Sequence, residues 1–141
     1  MRRTTLRNTT EIPSELVWEI IRFVQPPRTS GIRIKLQNSP SGFYSGRAGG
    51  HHCMVRFNPE DTKFPRFYKP YQYGQNKGKR WWVATETEML VILFAHELRH
   101  CWQSLRRANR KGYAWGARGR YSEVDTEAYA LRKLREWRRS H

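Results

Sequence analysis

Apolar positions first take on a regular spacing after Glu11. Leu16, Ile20 and Phe23, flanked by Val17 and Val24, recur at helical intervals, and Pro13 suits a first helical turn. This predicts a helix that Pro26-Pro27 ends. The period then changes to two: Ile32, Ile34 and Leu36 alternate with Arg33 and Lys35, the mark of a half-buried strand, and the cluster from Asn38 to Gly42 marks a turn. Phe43 to Ser45 starts a second strand, and His51 to Phe57, preceded by Gly49-Gly50 and closed by Asn58-Pro59, reads as a third. Three short strands imply a small sheet. Helical spacing returns where Thr85 and Glu88 form a capping box ahead of Leu90, Val91, Leu93, Phe94, Leu98, Cys101, Trp102 and Leu105, a helix apolar on most of its circumference and so expected at the centre. Ser122 is placed to cap a last helix with Val124, Ala128, Leu131 and Leu134 toward the core and Arg132, Lys133, Arg135, Arg138 and Arg139 crowded toward its C-terminal end. The class predicted is α+β, with no internal repeat.

What lies between these elements is basic. Residues 1–10 are polar and without periodicity, which predicts a frayed basic arm ahead of a single domain over 11–141. From Thr62 to Trp82 six cations interleave with seven aromatic residues and no acid. That pattern suits stacking on a single-stranded nucleic acid or an extended peptide, and equally a loop pinned to the sheet by its own rings. Arg80, Trp81 and Trp82 are the candidates there. The stretch from Arg106 to Arg120, with six basic residues, three glycines and no acid, is expected to be a flexible connection, with Tyr113 and Trp115 as further contact candidates.

Twenty-seven Lys and Arg against twelve Asp and Glu give a net charge of +15, which makes a polyanion such as nucleic acid an expected partner without saying which one. Two cysteines, Cys53 and Cys101, cannot build a disulfide framework, and favour a reduced setting. The longest apolar run, Met89 to Ala95, is far short of the ~20 residues that span a bilayer, and the N-terminus has no apolar h-region. A soluble, cytoplasmic protein without membrane contact is the expectation.

The chemistry concentrates at the polar end of the apolar run, in His96-Glu97-Leu98-Arg99-His100. Residues four apart share a helix face, so both imidazoles can address one zinc ion while Glu97 stands beside them as a general base. A catalytic zinc site usually takes three protein ligands. The metzincin continuation is excluded, because its glycine and third histidine positions hold Gln103 and Arg106. The acids after His100 are Glu123, Asp125, Glu127 and Glu136. Glu123 and Glu127 share one helix face, so Glu123 can ligate while Glu127 orients a histidine from behind, with Asp125 and Glu127 as alternate ligands. His51-His52-Cys53 is metal-like in type, but adjacent strand residues face opposite ways, so at most one of the two histidines can join the site. Cys101 lies about 100° round the helix from His100 and is expected in the core.

His96 to His100 followed by Glu123-Val124-Asp125-Thr126-Glu127-Ala128-Tyr129-Ala130 resembles the small gluzincin-type zinc metallopeptidases, the minigluzincin-like group. The resemblance implies a compact zincin-like core and one zinc ion held by His96, His100 and a glutamate of a later helix, here Glu123. It also implies Glu97 as general base and acid, and a short sheet whose edge strand holds a peptide or protein substrate. Where that family commonly has Asp or Asn four residues after the ligand glutamate, this chain has Glu127. A transition-state donor, as in related peptidases, has candidates in Tyr113, Trp115 and Tyr121. A weaker resemblance to SprT-like proteases, which act near DNA, rests on the shared motif and the basic charge and lacks their cysteine ribbon. The expected function is zinc-dependent proteolysis; the alternative is a nucleic-acid-binding protein with a structural zinc site.

Overall fold

The spacing of Val17, Ile20, Ile21 and Val24 produces a helix, α1 (Ser14–Val24), whose apolar face is fully buried. Pro13 stands just before it, and its chain leaves in an extended conformation at Gln25, ahead of the two prolines. The computed structural model describes residues 3–40, 44–58, 64–69, 77–108 and 120–141.

Alternation makes the sheet. β1 (Thr5–Asn8), β2 (Arg33–Asn38), β3 (Ser45–Gly49) and β4 (His52–Phe57) form a four-stranded sheet in the order β1-β2-β4-β3. β1 and β4 both run parallel to β2, and β3 folds back antiparallel on β4. Ile34, Leu36, Cys53, Val55 and Phe57 point inward and are buried; Arg33, Lys35, His52, Met54 and Arg56 point the other way. The chain is thus α+β with a small mixed sheet.

Two expectations are corrected here. Residues 1–10 were expected to be a frayed arm, yet Thr5–Asn8 pairs in register with Arg33 to Leu36. Leu6 turns toward the core while Thr5 and Arg7 stay exposed, so a single apolar residue in four carries the strand, too short a run to show a period. The sheet accordingly has four strands, not three. The aromatic stretch after Thr62 was expected as a loop, but it contains β5 (Arg66–Tyr68) and β6 (Trp81–Val83), an antiparallel two-stranded sheet that buries Trp81 and Val83. Residues 59–63 and 70–76 lie outside the described residues.

The central helix, α2 (Glu86–Ala108), buries Met89 to Ala95 without a gap, and then Leu98 and Cys101. Each large apolar side chain fully withdrawn from water contributes roughly 1.5–3 kcal/mol, so this helix is the main stabilising element. Its start is a variant of the expected capping box: Thr85 Oγ1 accepts from Glu88 N at 3.2 Å, but the Glu88 carboxylate accepts from Ala84 N, at 2.9 Å, rather than from Thr85 N. Glu88 also takes the Arg138 guanidinium at 2.7 and 3.1 Å, and Arg138 donates to the Trp82 carbonyl. The far end of the last helix is thereby tied to the start of α2 and to β6.

That last helix, α3 (Arg120–Ser140), begins two residues ahead of the expected Ser122 cap. Its buried face is also rotated from the expected one. Val124 and Ala128 are exposed and Leu131 half-buried, whereas Thr126, Glu127, Tyr129, Ala130, Leu134 and Trp137 are buried. The expectation followed aliphatic residues alone; the true face carries a glutamate, a threonine and two large aromatics. Tyr129 donates its hydroxyl to the Val24 carbonyl at 2.5 Å, tying α3 to the end of α1, and burial pushes its phenol up to about 12. Among the described residues no helix is long and apolar enough to cross a membrane.

Candidate metal centre

α2 and α3 pack along one another, and where their polar positions meet, three side chains converge. His96 and His100 project from the same face of α2, with ring centroids 4.9 Å apart. Glu123, in the first turn of α3, reaches between them: its Oε1 is 3.1 Å from His100 Nε2 and its Oε2 is 3.4 Å from His96 Nε2. One ligand atom from each of the three lies within 4.8 Å of the others, and among the described residues this is a group able to hold a metal ion.

The donors fit zinc. Bonds of about 2.0–2.1 Å in tetrahedral geometry put neighbouring donors about 3.3 Å apart, the range of the two nitrogen-to-oxygen separations here. Two imidazoles and one carboxylate also leave a fourth position.

The charges of the three groups are interlocked. Hydrogen bonds from His100 and His96 hold the Glu123 carboxyl far below the usual carboxylate range, against the opposing effect of burial. For His100 burial pulls the other way, but the Glu123 hydrogen bond and the Glu97 charge outweigh it and raise its pKa. A metal ion bound here takes the place of protons on the histidine nitrogens.

Glu97 sits beside this group, its Oε1 4.0 Å from His96 Nε2, and is only 8% exposed. Burial raises its pKa, partly offset by the two histidines and reinforced by Glu123. The wall behind it is main chain. Gly46 of β3 faces α2, and a Cβ built there meets Glu97 Cδ and Oε1 at 2.5 Å, so the strand approaches the carboxylate as closely as only glycine allows. Around Glu97 lies a cavity of about 140 Å³ whose walls include Tyr44, Gly46, Tyr68, Trp81, His96 and Glu123.

Behind the ligands stands a chain of hydrogen-bonded side chains. Asp125 was expected as a supporting group or an alternate ligand; its carboxylate accepts two hydrogen bonds from Arg99, at 2.7 and 3.0 Å, and one from Gln103 Nε2 at 2.9 Å. Gln103 Oε1 in turn meets His100 Nδ1 at 3.0 Å. An orienting contact to His100 thus runs through Gln103 and Asp125. Glu127 lines the cavity, is 1% exposed and is not one of the three convergent groups. If this group holds a metal ion, replacing Gln103 by Ala is expected to weaken its binding about 10- to 100-fold with the fold retained, as loss of such outer contacts does, measured by competition with a chromogenic chelator.

Other candidates lie elsewhere. Trp81 is 5% exposed and lines the cavity, which leaves its ring no open face for stacking. Trp82 is on the outer side, edge-on to Phe67 at 5.0 Å, with Arg80 over Phe67. Tyr113, Trp115 and the side chain of Tyr121 lie outside the described residues. His51 and His52 are both exposed on the sheet side and do not join the centre. Cys53 and Cys101 are free and buried; the hydrogen bond between them, together with burial, pushes the Cys53 thiol well above its ordinary value, so it stays protonated. Gly46 carries no sign in the sequence of its place against Glu97, and Tyr68 figures there only as one of the seven aromatics after Thr62. Tyr68 lines the cavity, and its hydroxyl pKa is raised by burial and by the charges of Glu127 and Glu97. No family model, curated protein or solved structure matches the chain.

Proposed function

We propose that the chain is a zinc-dependent metallopeptidase built on a zincin-like core, with His96, His100 and Glu123 as the ligands. The observation that carries this reading is the convergence of a carboxylate from α3 on two histidines of α2 with a buried, pKa-raised carboxylate beside them. Zinc, when bound, supplies the Lewis acidity that makes water nucleophilic near neutral pH and polarises a peptide carbonyl. Glu97 accepts the proton given up by the attacking water and passes it to the leaving amine; its raised pKa suits both directions of transfer. The edge position of β3 leaves main-chain groups for an extended peptide to pair with, and Ser45 and Gly46 bring that edge to the cavity wall. Gln103 and Asp125 hold the His100 ring in orientation.

The first test is metal dependence. Dialysis against a chelator is expected to lower the melting temperature, and one equivalent of zinc to restore it. At free zinc 100-fold above the dissociation constant the gain is about 2.7 kcal/mol. His96→Ala and Glu123→Ala should abolish that gain. A wild-type protein whose melting is indifferent to zinc would refute the reading.

A further inference from the structure

The four-stranded sheet has two faces, and among the described residues the helices pack on the inner one. On the outer face stand Arg7, Arg33, Lys35, Arg47, Arg56 and His52, one or more from every strand. The register places them in rows: Arg7 lies beside Lys35, Lys35 beside Met54, and Met54 beside Arg47. Arg33 lies beside His52, to which its guanidinium is hydrogen-bonded at 3.0 Å. No Asp or Glu occurs in any of the four strands, although the chain has twelve. Arg7, Arg33, Lys35, Arg47 and Arg56 have no carboxylate partner among the described residues.

Neighbouring strands lie about 4.8 Å apart, so four strands spread this charge over about 14 Å. A nucleic-acid duplex carries one negative charge per about 1.7 Å of axis, and a face that wide meets several phosphates together. We propose that the outer face of the β1-β2-β4-β3 sheet binds the phosphate backbone of a double-stranded nucleic acid without reading its sequence. Among the described residues the four strands carry no Phe, Tyr or Trp on this face, so they offer no platform for the unstacked bases of a single strand. Nor do these strands present, among the described residues, a large exposed apolar side chain to enter a lipid surface; Met54 is half-buried. The metal centre lies on the other side of the sheet, so this proposal does not rest on the peptidase reading.

The test is fluorescence anisotropy of a labelled 20-base-pair DNA of mixed sequence, using the full chain. Wild type is expected to bind with an affinity that falls steeply with salt. The pair Lys35→Glu and Arg47→Glu should weaken binding roughly 30-fold and reduce the salt slope by about 2, since each phosphate contact contributes about 0.9. Lys35→Gln with Arg47→Gln should give a smaller loss in the same direction, which guards against a folding defect from charge reversal. Arg135→Glu with Arg139→Glu, an equal charge change on the exposed side of α3, should cost less than about threefold. Four outcomes would overturn the proposal: no duplex binding by wild type, equal losses in the sheet and helix pairs, tighter binding of the matching single strand, or tighter binding to vesicles rich in phosphatidylserine.

Discussion

Glu97→Gln is expected to reduce peptidase turnover about 10³-fold, within the range by which a positioned acid–base group accelerates proton transfer, while zinc affinity and melting temperature stay near wild type. The substitution keeps the volume of a side chain packed between His96 and the main chain of β3, and removes only the basic oxygen. Glu97 is no member of the three-residue ligand group, so the metal has no reason to leave. Turnover of a quenched fluorescent peptide mixture by zinc-loaded protein, with metal content measured on the same sample, separates the two effects. Peptidase activity that survives the change would remove Glu97 from the chemistry and with it the proposed mechanism. A loss of activity accompanied by loss of zinc would instead make Glu97 part of the metal's support.

Gly46→Ala is expected to lower turnover on the order of 10²-fold with zinc retained, because a displacement of about 1 Å at a reacting group costs that much. The added methyl would sit 2.5 Å from Glu97 Cδ, so either the carboxylate swings away or β3 retreats from α2. Both move the base relative to His96 and His100. Gly49→Ala is the control: its Cβ meets only Ser104 Oγ, at 3.7 Å, an ordinary contact, and the variant should retain wild-type turnover. Equal activity in both variants would mean that the closeness of β3 to Glu97 has no bearing on the reaction.

How much of this was legible beforehand follows the range of the interactions involved. α1, α2 and the two central strands could be read off because each carries several apolar residues at one period. The placing of His96, Glu97 and His100 on one helix followed from spacing alone, and Glu123 could be selected as a candidate because few acids follow the motif. The partners of Asp125 have no local sign in the sequence, since Arg99 and Gln103 lie on α2, more than twenty residues away. Gly46 gave no local sign. Its φ is not in the left-handed region, and the demand for a bare Cα comes wholly from a carboxylate on another element. The rotation of α3 was missed because Glu127 and Thr126 are buried and Val124 is 40% exposed, an inversion that tertiary contacts impose on a helix whose local pattern is ambiguous.

The Arg99–Asp125 pair has a mechanical consequence. Without it the nearest tie on α3 is the Tyr129 hydroxyl, and six residues at 1.5 Å each put Glu123 about 9 Å away, so a tilt of about three degrees about that tie would swing Glu123 by about 0.5 Å. That is the whole positional tolerance of a functional site, about 0.5 Å. Asp125 shortens the lever to two residues, about 3 Å, and it is grasped by Arg99, which stands on α2 between Glu97 and His100. Carboxylate and imidazoles therefore share one frame of reference, and rocking of the long helix about the Tyr129 tie reaches the site divided by roughly three.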